Sequence, residues 1–214
     1  MAIYVTSDAH GHVCALDEAL SKISLTSDDT LYVLGDMIDR GPDPVGVIKL
    51  VRSLPNARVL KGNHEQIMLD AIIGQDPLDA ETWDINGGWT TRQQLNDMEF
   101  EAYEELVRWM ATLPLYAVVE TAERPFLLVH AGIQTEAARA FLLEHGVDCA
   151  DGGGAVDADG ELLQQMLAVQ SSDDLLWIRH GYWDAPTGLL SAEGKGPVVV
   201  SGHTPTVSLG RYCE

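Results

Sequence analysis

Two carboxylates and a guanidinium group lie within five residues of one another, directly after a short apolar run. Residues 31–34 form this run and predict a buried strand, and Asp36, Asp39 and Arg40 follow it. Carboxylates so close together repel one another unless cations compensate their charge, which Arg40 would do in part and a divalent metal ion more fully. On its own this stretch leaves two interpretations open, a metal site and a solvated Asp-Arg pair in a turn.

Similar polar groups follow two other apolar runs. Residues 2–6 predict a strand that leads into Asp8 and His10, whose side chains share one side of an extended segment and can chelate one ion. Taken alone, the same two residues rather favour a helix-capping carboxylate and a surface histidine. Residues 57–61 predict a third strand, and Gly62-Asn63-His64-Glu65 follows it.

The segments between these motifs predict how they are positioned. Apolar residues recur at helical spacing over residues 13–23 and 44–54, so the first 61 residues predict a βαβαβ unit with a parallel sheet. Ligands of such sheets bind at the carboxyl ends of the strands. We therefore expect the three polar clusters to face one crevice.

The rest of the chain predicts further helices and strands of an α/β protein. Helices are expected over residues 66–73, 99–113 and 135–145, and strands over residues 115–119, 126–129 and 197–201. Residues 74–96 have no clear period and predict an irregular insertion that overhangs the site. Residues 148–160 are rich in Asp and Gly and predict a loop.

Composition restricts the class of protein. The formal charge of the 214 residues is -20, which disfavours binding to a nucleic acid, and no apolar run reaches the ~20 residues of a membrane span. The N-terminus lacks the features of a signal peptide. Three widely spaced cysteines predict neither a disulfide framework nor a thiolate metal site, so the cytoplasm is the expected compartment.

Five motifs taken together resemble the calcineurin-like metallophosphoesterases, and more narrowly the small bacterial and phage serine/threonine protein phosphatases. The narrower resemblance rests on Asp39-Arg40-Gly41, on Gly62-Asn63-His64-Glu65 and on Leu176-Trp177-Ile178-Arg179. It implies one domain over residues 1–214, with two packed mixed β-sheets flanked by helices. The five motifs are Asp8-Ala9-His10-Gly11, Gly35-Asp36-Met37-Ile38-Asp39-Arg40-Gly41, Gly62-Asn63-His64-Glu65, His130-Ala131-Gly132 and Gly202-His203-Thr204.

The resemblance also implies roles for individual residues. Asp36 would bridge two divalent metal ions, and a hydroxide shared by the ions would attack phosphorus. His64 would protonate the leaving oxygen with Asp39 orienting its ring, while Arg40 and Arg179 would bind the phosphoryl oxygens. Oxygen and imidazole donors without thiolates suit manganese, which we expect, as well as iron and zinc. The implied metal ligands are Asp8, His10, Asp36, Asn63, His130 and His203.

The resemblance implies a phosphoprotein phosphatase acting on phosphoserine and phosphothreonine, with phosphotyrosine as a further substrate class. The alternative is a symmetrical dinucleoside tetraphosphatase, whose substrate needs aromatic groups on which its bases stack; Trp83 and Trp89 are candidates. A non-catalytic scaffold is disfavoured because every implied ligand is present. The residue types also leave open whether His64 is a seventh metal ligand or the proton donor.

Members of the family usually continue past the Gly-His-Thr motif with a strand pair, whereas this sequence ends at Glu214.

Overall fold

The computed structural model describes residues 1–74, 76–149 and 154–205. The chain divides into two compact units, Met1–Pro114 and Leu115–Glu214. Each unit combines a small β-sheet with several helices, which confirms the predicted α/β class.

The first unit is built on a parallel three-stranded sheet. Its strands, in spatial order, are β1 (Ile3–Thr6), β2 (Thr30–Val33) and β3 (Ala57–Val59). Helix α1 (Val13–Ile23) connects β1 to β2, and helix α2 (Pro44–Ser53) connects β2 to β3. This arrangement is the predicted βαβαβ unit, so the three strands end at the same edge of the sheet.

The sequence around helix α2 explains why a helix begins at Pro44 and packs on the sheet. Asp43 caps its first turn, because the Asp43 Oδ1 atom accepts a hydrogen bond from the Gly46 N–H at 2.9 Å. Pro44 at the first helical position has the backbone angle that a helix start requires. The apolar face of α2 then packs in the core beside β2, through the buried residues Val47, Ile48, Val51, Leu31 and Val33.

Helix α3 (Asn63–Ile73) begins three residues before the predicted start at residue 66. Gly62 is its N-cap, and the Oε2 atom of Glu65 accepts the Gly62 N–H at 2.8 Å. This backward bond from the third helical position satisfies a donor that the helix start would otherwise leave unpaired. Asn63 and His64 therefore lie in the first turn of a helix and not in a loop.

The segment predicted as an irregular insertion contains two helices, so that prediction is wrong. These are α4 (Pro77–Ile85) and α5 (Trp89–Asn96). Asp76 caps α4 by accepting the Leu78 N–H at 2.9 Å, and Pro77 occupies the first helical position. Helix α6 (Phe100–Ala111) follows as predicted and buries Leu106, Val107 and Met110.

The second unit contains a mixed three-stranded sheet. Its strands are β4 (Tyr116–Glu120), β5 (Pro125–Val129) and β6 (Val198–Val200), with β4 and β5 antiparallel and β5 and β6 parallel. Its helices are α7 (Thr135–Glu144), α8 (Gly160–Ala168) and α9 (Ser172–Trp177). The sheet of this unit is mixed as expected, whereas every strand pair in the described part of the first unit is parallel.

Two further expectations concern membrane-spanning segments and the cysteines. No helix within the described ranges has the length and apolar character needed to cross a membrane. Cys14 and Cys149 are free thiols, and Cys213 lies outside the described residues. Part of the predicted loop over residues 148–160 also lies outside them.

Candidate active site

The ends of the three parallel strands are joined by hydrogen bonds. The Asp8 N–H donates to the Gly35 carbonyl at 3.1 Å, and the His10 N–H donates to the Asp36 carbonyl at 2.9 Å. The His64 N–H at the start of α3 donates to the Asp36 Oδ1 atom at 3.0 Å. The motifs that follow β1, β2 and β3 therefore meet around Asp36, as the βαβαβ order predicts.

Several side chains of this site are carried by an unusual backbone conformation. A non-glycine residue with positive φ costs about 1–3 kcal/mol, and such residues cluster at functional sites. Among the described non-glycine residues, only Ser24 shares this conformation without being a predicted site residue. The predicted site residues with positive φ are Asp8, His10, Asp36, Asp39 and Arg40 in the first unit and, separately, His203 in the second unit.

Asp36 is a buried carboxylate beside another buried carboxylate. Burial raises the pKa of Asp36 well above its ordinary value, and the nearby charge of Glu65 raises it further. Burial also raises the pKa of Glu65, although hydrogen bonds from the backbone N–H groups of Asp36, Met37 and Gly62 oppose that rise. A cation close to Asp36 would stabilise its charged form, so this carboxylate is suited to binding a metal ion.

Gly62 is required at this site by close packing. A Cβ atom at position 62 would lie 2.2 Å from the Oδ1 atom of Asp36 and 2.4 Å from its backbone nitrogen. Any side chain there would displace the Asp36 carboxylate. The glycine of the Gly-Asn-His-Glu motif therefore allows α3 to begin against this carboxylate.

His10 presents an unprotonated nitrogen to Asp36 and Arg40. Burial lowers the pKa of His10 to about 4, so the ring is neutral near pH 7. The Nδ1 atom lies 2.9 Å from the Ile38 carbonyl, which can only accept, so Nδ1 carries the proton. The Nε2 atom therefore keeps its lone pair, 3.6 Å from the Asp36 Oδ2 atom, and a neutral imidazole of this kind can ligate a metal.

The His64 ring lies between the Asp39 carboxylate and the Arg40 guanidinium group and is buried. Its Nδ1 atom is 2.7 Å from the Asp39 Oδ2 atom, and both side chains are 0% exposed. Its Nε2 atom is 2.7 Å from the Arg40 Nη2 atom, while Arg40 Nη1 lies 3.0 Å from the His10 Nε2 atom. Because a guanidinium group only donates, the proton of His64 lies on Nδ1 and faces Asp39.

Two contacts of Asp39 come from residues that sequence reasoning did not place in the catalytic site. The Trp83 Nε1–H lies 3.0 Å from the Asp39 Oδ1 atom, and the Thr91 hydroxyl lies 2.6 Å from the same oxygen. Trp83 is only 3% exposed, so it cannot stack on a nucleobase as the sequence suggested. Trp89 is 61% exposed and remains available for that contact.

The second unit brings together the other three predicted residues. His130 directly follows β5, and its carbonyl accepts the N–H of Gly202 at 2.8 Å. The His130 Nε2 atom lies 3.2 Å from the His203 Nδ1 atom, and the Arg179 Nε–H donates to His203 Nε2 at 3.0 Å. Arg179 is therefore a direct neighbour of a predicted metal ligand.

The donor atoms in the first unit fit a divalent ion. One ligand atom from each of His10, Asp36 and His64 lies within 4.8 Å of the others. A carboxylate and imidazoles without thiolates suit manganese, iron or zinc. This grouping is compatible with His64 as a ligand and also with His64 as a proton donor, so the geometry alone leaves both roles open.

Comparison with protein families decides the class to which this site belongs. The model of the family described as calcineurin-like phosphoesterase matches residues 1–213. The chain belongs to this family. The resemblance that the five sequence motifs carry is therefore confirmed at the level of the calcineurin-like phosphoesterases.

Individual relatives are similar at moderate identity. A symmetrical bis(5'-nucleosyl)-tetraphosphatase from Erwinia tasmaniensis is 32% identical over 136 residues, which cover 62% of this chain and 45% of that protein. Its counterpart from Salmonella paratyphi C is 31% identical over 216 residues, which cover 100% of this chain and 66% of that protein. A crystal structure of a metallophosphoesterase from Sphaerobacter thermophilus is 27% identical, with a TM-score of 0.43 over 61% of this chain and 46% of its own. The chain thus spans less than two thirds of the length of these calcineurin-like relatives.

Proposed function

We propose that this calcineurin-like phosphoesterase is a metal-dependent hydrolase that cleaves dinucleoside polyphosphates symmetrically. The observation that carries the hydrolytic chemistry is the buried pair of Asp39 and His64, with Arg40 on the outer nitrogen of His64 and Asp36 beside it. The substrate class is supported by two relatives, 32% and 31% identical, that are named symmetrical bis(5'-nucleosyl)-tetraphosphatases.

We propose further that residues 1–214 act as a single metallophosphoesterase domain with two metal ions. Support comes from the family model, which extends over both compact units, and from the donor types in each unit. When bound, the ions would supply Lewis-acid charge and activate a water molecule for attack on phosphorus. Manganese is the ion we expect. The residues that would hold the ions are Asp8, His10, Asp36, Asn63, His130 and His203.

The remaining site residues would handle the proton and the charge of the substrate. His64 would donate a proton to the leaving oxygen, with Asp39 fixing the orientation of its ring. Arg40 and Arg179 would bind phosphoryl oxygens, because a planar guanidinium group can donate two parallel hydrogen bonds to them. For His64 to donate from Nε2, Arg40 must first turn from that nitrogen towards the substrate. Nε2 must then take up a proton from water, which gives an imidazolium whose Nδ1–H still faces the Asp39 carboxylate.

An exposed aromatic residue supports a nucleotide substrate. Trp89 is 61% exposed at the start of α5, two residues after Gly87. The Gly87 carbonyl accepts the N–H of Arg40 at 3.1 Å. Because consecutive Cα atoms are about 3.8 Å apart, the Trp89 backbone lies within about 8 Å of Gly87, close enough to the proposed phosphate-binding arginine for base stacking.

Phosphoserine and phosphothreonine in proteins form the second candidate substrate class. The Asp-Arg-Gly, Gly-Asn-His-Glu and Leu-Trp-x-Arg segments, on which the narrower sequence resemblance rests, favour it. Both candidates use the same site. They differ in the leaving group, because a serine alkoxide is far more basic than a nucleoside diphosphate and depends more strongly on proton donation.

A substrate screen separates the candidates. The purified full chain, supplied with Mn²⁺, would be given diadenosine tetraphosphate, a phosphoserine peptide and 4-nitrophenyl phosphate in parallel, with chromatographic product analysis. We expect the highest kcat/KM for diadenosine tetraphosphate, with ADP as the sole nucleotide product. A higher kcat/KM for the phosphopeptide would support the second candidate. Failure of the metal-loaded protein to hydrolyse any of the three would indicate a non-catalytic scaffold.

A further inference from the structure

We propose that Trp83 and Thr91 are positioning residues that fix the Asp39 carboxylate and, through it, the ring of the proton donor His64. This inference rests on the proposed role of His64 in phosphoester hydrolysis. It assigns a task to the segment of α4 and α5, which lies outside the five motifs that carry the sequence resemblance.

Thr91 holds Asp39 at two points. The Thr91 Oγ1 atom accepts the Asp39 backbone N–H at 2.9 Å and donates its own hydrogen to the Asp39 Oδ1 atom at 2.6 Å. Thr91 is 0% exposed, so water does not compete for either bond. Asp39 has a φ of 68°, and the pair of bonds stabilises both this left-handed backbone and the carboxylate that it carries.

Trp83 fixes the plane of the same carboxylate. Its indole N–H lies 3.0 Å from Asp39 Oδ1 and 3.2 Å from Oδ2. The indole is rigid and packs in the hydrophobic core of the first unit. The Oδ2 atom is then directed at the His64 Nδ1 atom, 2.7 Å away, so a rotation of the carboxylate would weaken that bond.

The connection between α4 and α5 is shaped for this contact. A Cβ atom at position 88 would lie 2.2 Å from the Trp83 Cδ1 atom, and one at position 87 would lie 2.9 Å from the Arg40 Cγ atom. Gly87 also has a φ of 96°. Two consecutive glycines thus let the turn approach both Trp83 and the loop that contains Asp39 and Arg40.

A purely structural role for these bonds is the competing explanation, and Thr90 offers a matched control against it. Thr90 is adjacent to Thr91 on the same helix and is 7% exposed. Its hydroxyl donates to the Gly87 carbonyl at 3.4 Å and not to the Asp39 carboxylate. Replacing either threonine by valine removes one buried hydroxyl from α5, but only Thr91→Val removes a bond to the carboxylate that orients His64.

The experiment measures kcat and KM of the full chain with Mn²⁺ over aryl phosphates whose leaving groups differ in acidity. Thr91→Val should lower kcat about tenfold for the least acidic leaving groups, a loss in the range of one hydrogen bond to a charged group. The loss should shrink as the leaving group becomes more acidic, with KM and bound metal unchanged. Thr91→Ser, which keeps the hydroxyl, should restore most of the activity, and Thr90→Val should behave as the wild type.

Trp83→Phe provides a second, independent variant, because it removes the indole N–H and keeps a large aromatic ring. Trp109→Phe is its control, since Trp109 is a partly buried tryptophan of the same unit on α6. Trp83→Phe should show the same dependence on the leaving group as Thr91→Val. If Thr91→Val does not fold, as judged by circular dichroism, Trp83→Phe decides the question alone.

A double-variant cycle separates positioning from general destabilisation. If Thr91 acts through His64, adding Thr91→Val to His64→Asn should lower kcat no further. An additional loss in the His64→Asn background, or a loss equal for every leaving group, would overturn the proposal. Failure of the proposed function looks different, because His64→Asn alone would then show no dependence on the leaving group.

Discussion

The Nη2 atom of Arg40 lies 2.7 Å from the Nε2 atom of His64, so the residue proposed to bind phosphate contacts the residue proposed to donate the proton. Since arginine only donates hydrogen bonds, this contact fixes the tautomer of His64. It also links substrate binding to proton donation, because a phosphoryl oxygen that takes the guanidinium group would free Nε2 to take up from water the proton that it then donates.

The first prediction concerns this arginine. Arg40→Lys should lower kcat/KM for phosphoesters about 10–100-fold, because an ammonium group cannot reproduce two parallel hydrogen bonds to a phosphoryl group. Arg58→Lys is the matched control, since Arg58 is an exposed arginine on β3 of the same unit. Steady-state kinetics on both variants test this. Equal kcat/KM for Arg40→Lys and wild type would show that Arg40 does not bind the phosphoryl group.

The second prediction concerns Asp36. Asp36→Asn removes the negative charge that two ions are proposed to share, and should lower both metal content and activity more than any other single change of a ligand. Metal analysis of the purified variant, after equilibration with Mn²⁺, measures the stoichiometry directly. Retention of two tightly bound ions would show that Asp36 is not a bridging ligand.

The third prediction concerns stability. Glu65 is 0% exposed and accepts the backbone N–H groups of Asp36, Met37 and Gly62, each at 2.8 Å. Glu65→Ala should lower the free energy of unfolding by about 3 kcal/mol or more, because it leaves three buried donors without partners. Glu65→Gln keeps an acceptor oxygen and should cost less. Urea unfolding of the metal-free proteins measures both values, and equal stability of Glu65→Ala and wild type would contradict this role.

Most of the first unit was predictable from sequence because its signals are local. The apolar period of α1 and the short runs of β1, β2 and β3 predict the βαβαβ order, and that order brings Asp8, His10 and Asp36 to one edge. The early start of α3 was also signalled, because Glu65 stands three residues after Gly62, the spacing of a side chain that bonds back to the N-cap.

The helices α4 and α5 were missed because their apolar pattern is weak. Asp76 followed by Pro77 is a helix-start signal that sequence reasoning passed over. The tasks of Trp83 and Thr91 had no such signal, since each depends on a contact with Asp39 more than 40 residues earlier in the chain. Long-range contacts of this kind follow from the packing of the helices and not from local pattern.

Metal dependence is a fourth expected outcome. Thorough chelation should abolish hydrolysis of an aryl phosphate, and added Mn²⁺ should restore it, because the proposed ligands are oxygen and imidazole donors. Metal analysis must confirm that the ions were removed. Full activity of the metal-free protein would contradict the dinuclear site.

The most direct test of the whole account is kcat of His64→Asn over a series of aryl phosphates, with bound metal measured on the same samples. A positioned proton donor contributes about 10²–10⁴-fold, so kcat should fall by that factor for basic leaving groups. The loss should nearly vanish for the most acidic leaving groups, and both ions should stay bound. Loss of a metal ion, or an equal deficit for every leaving group, would contradict the assignment of His64 as the proton donor.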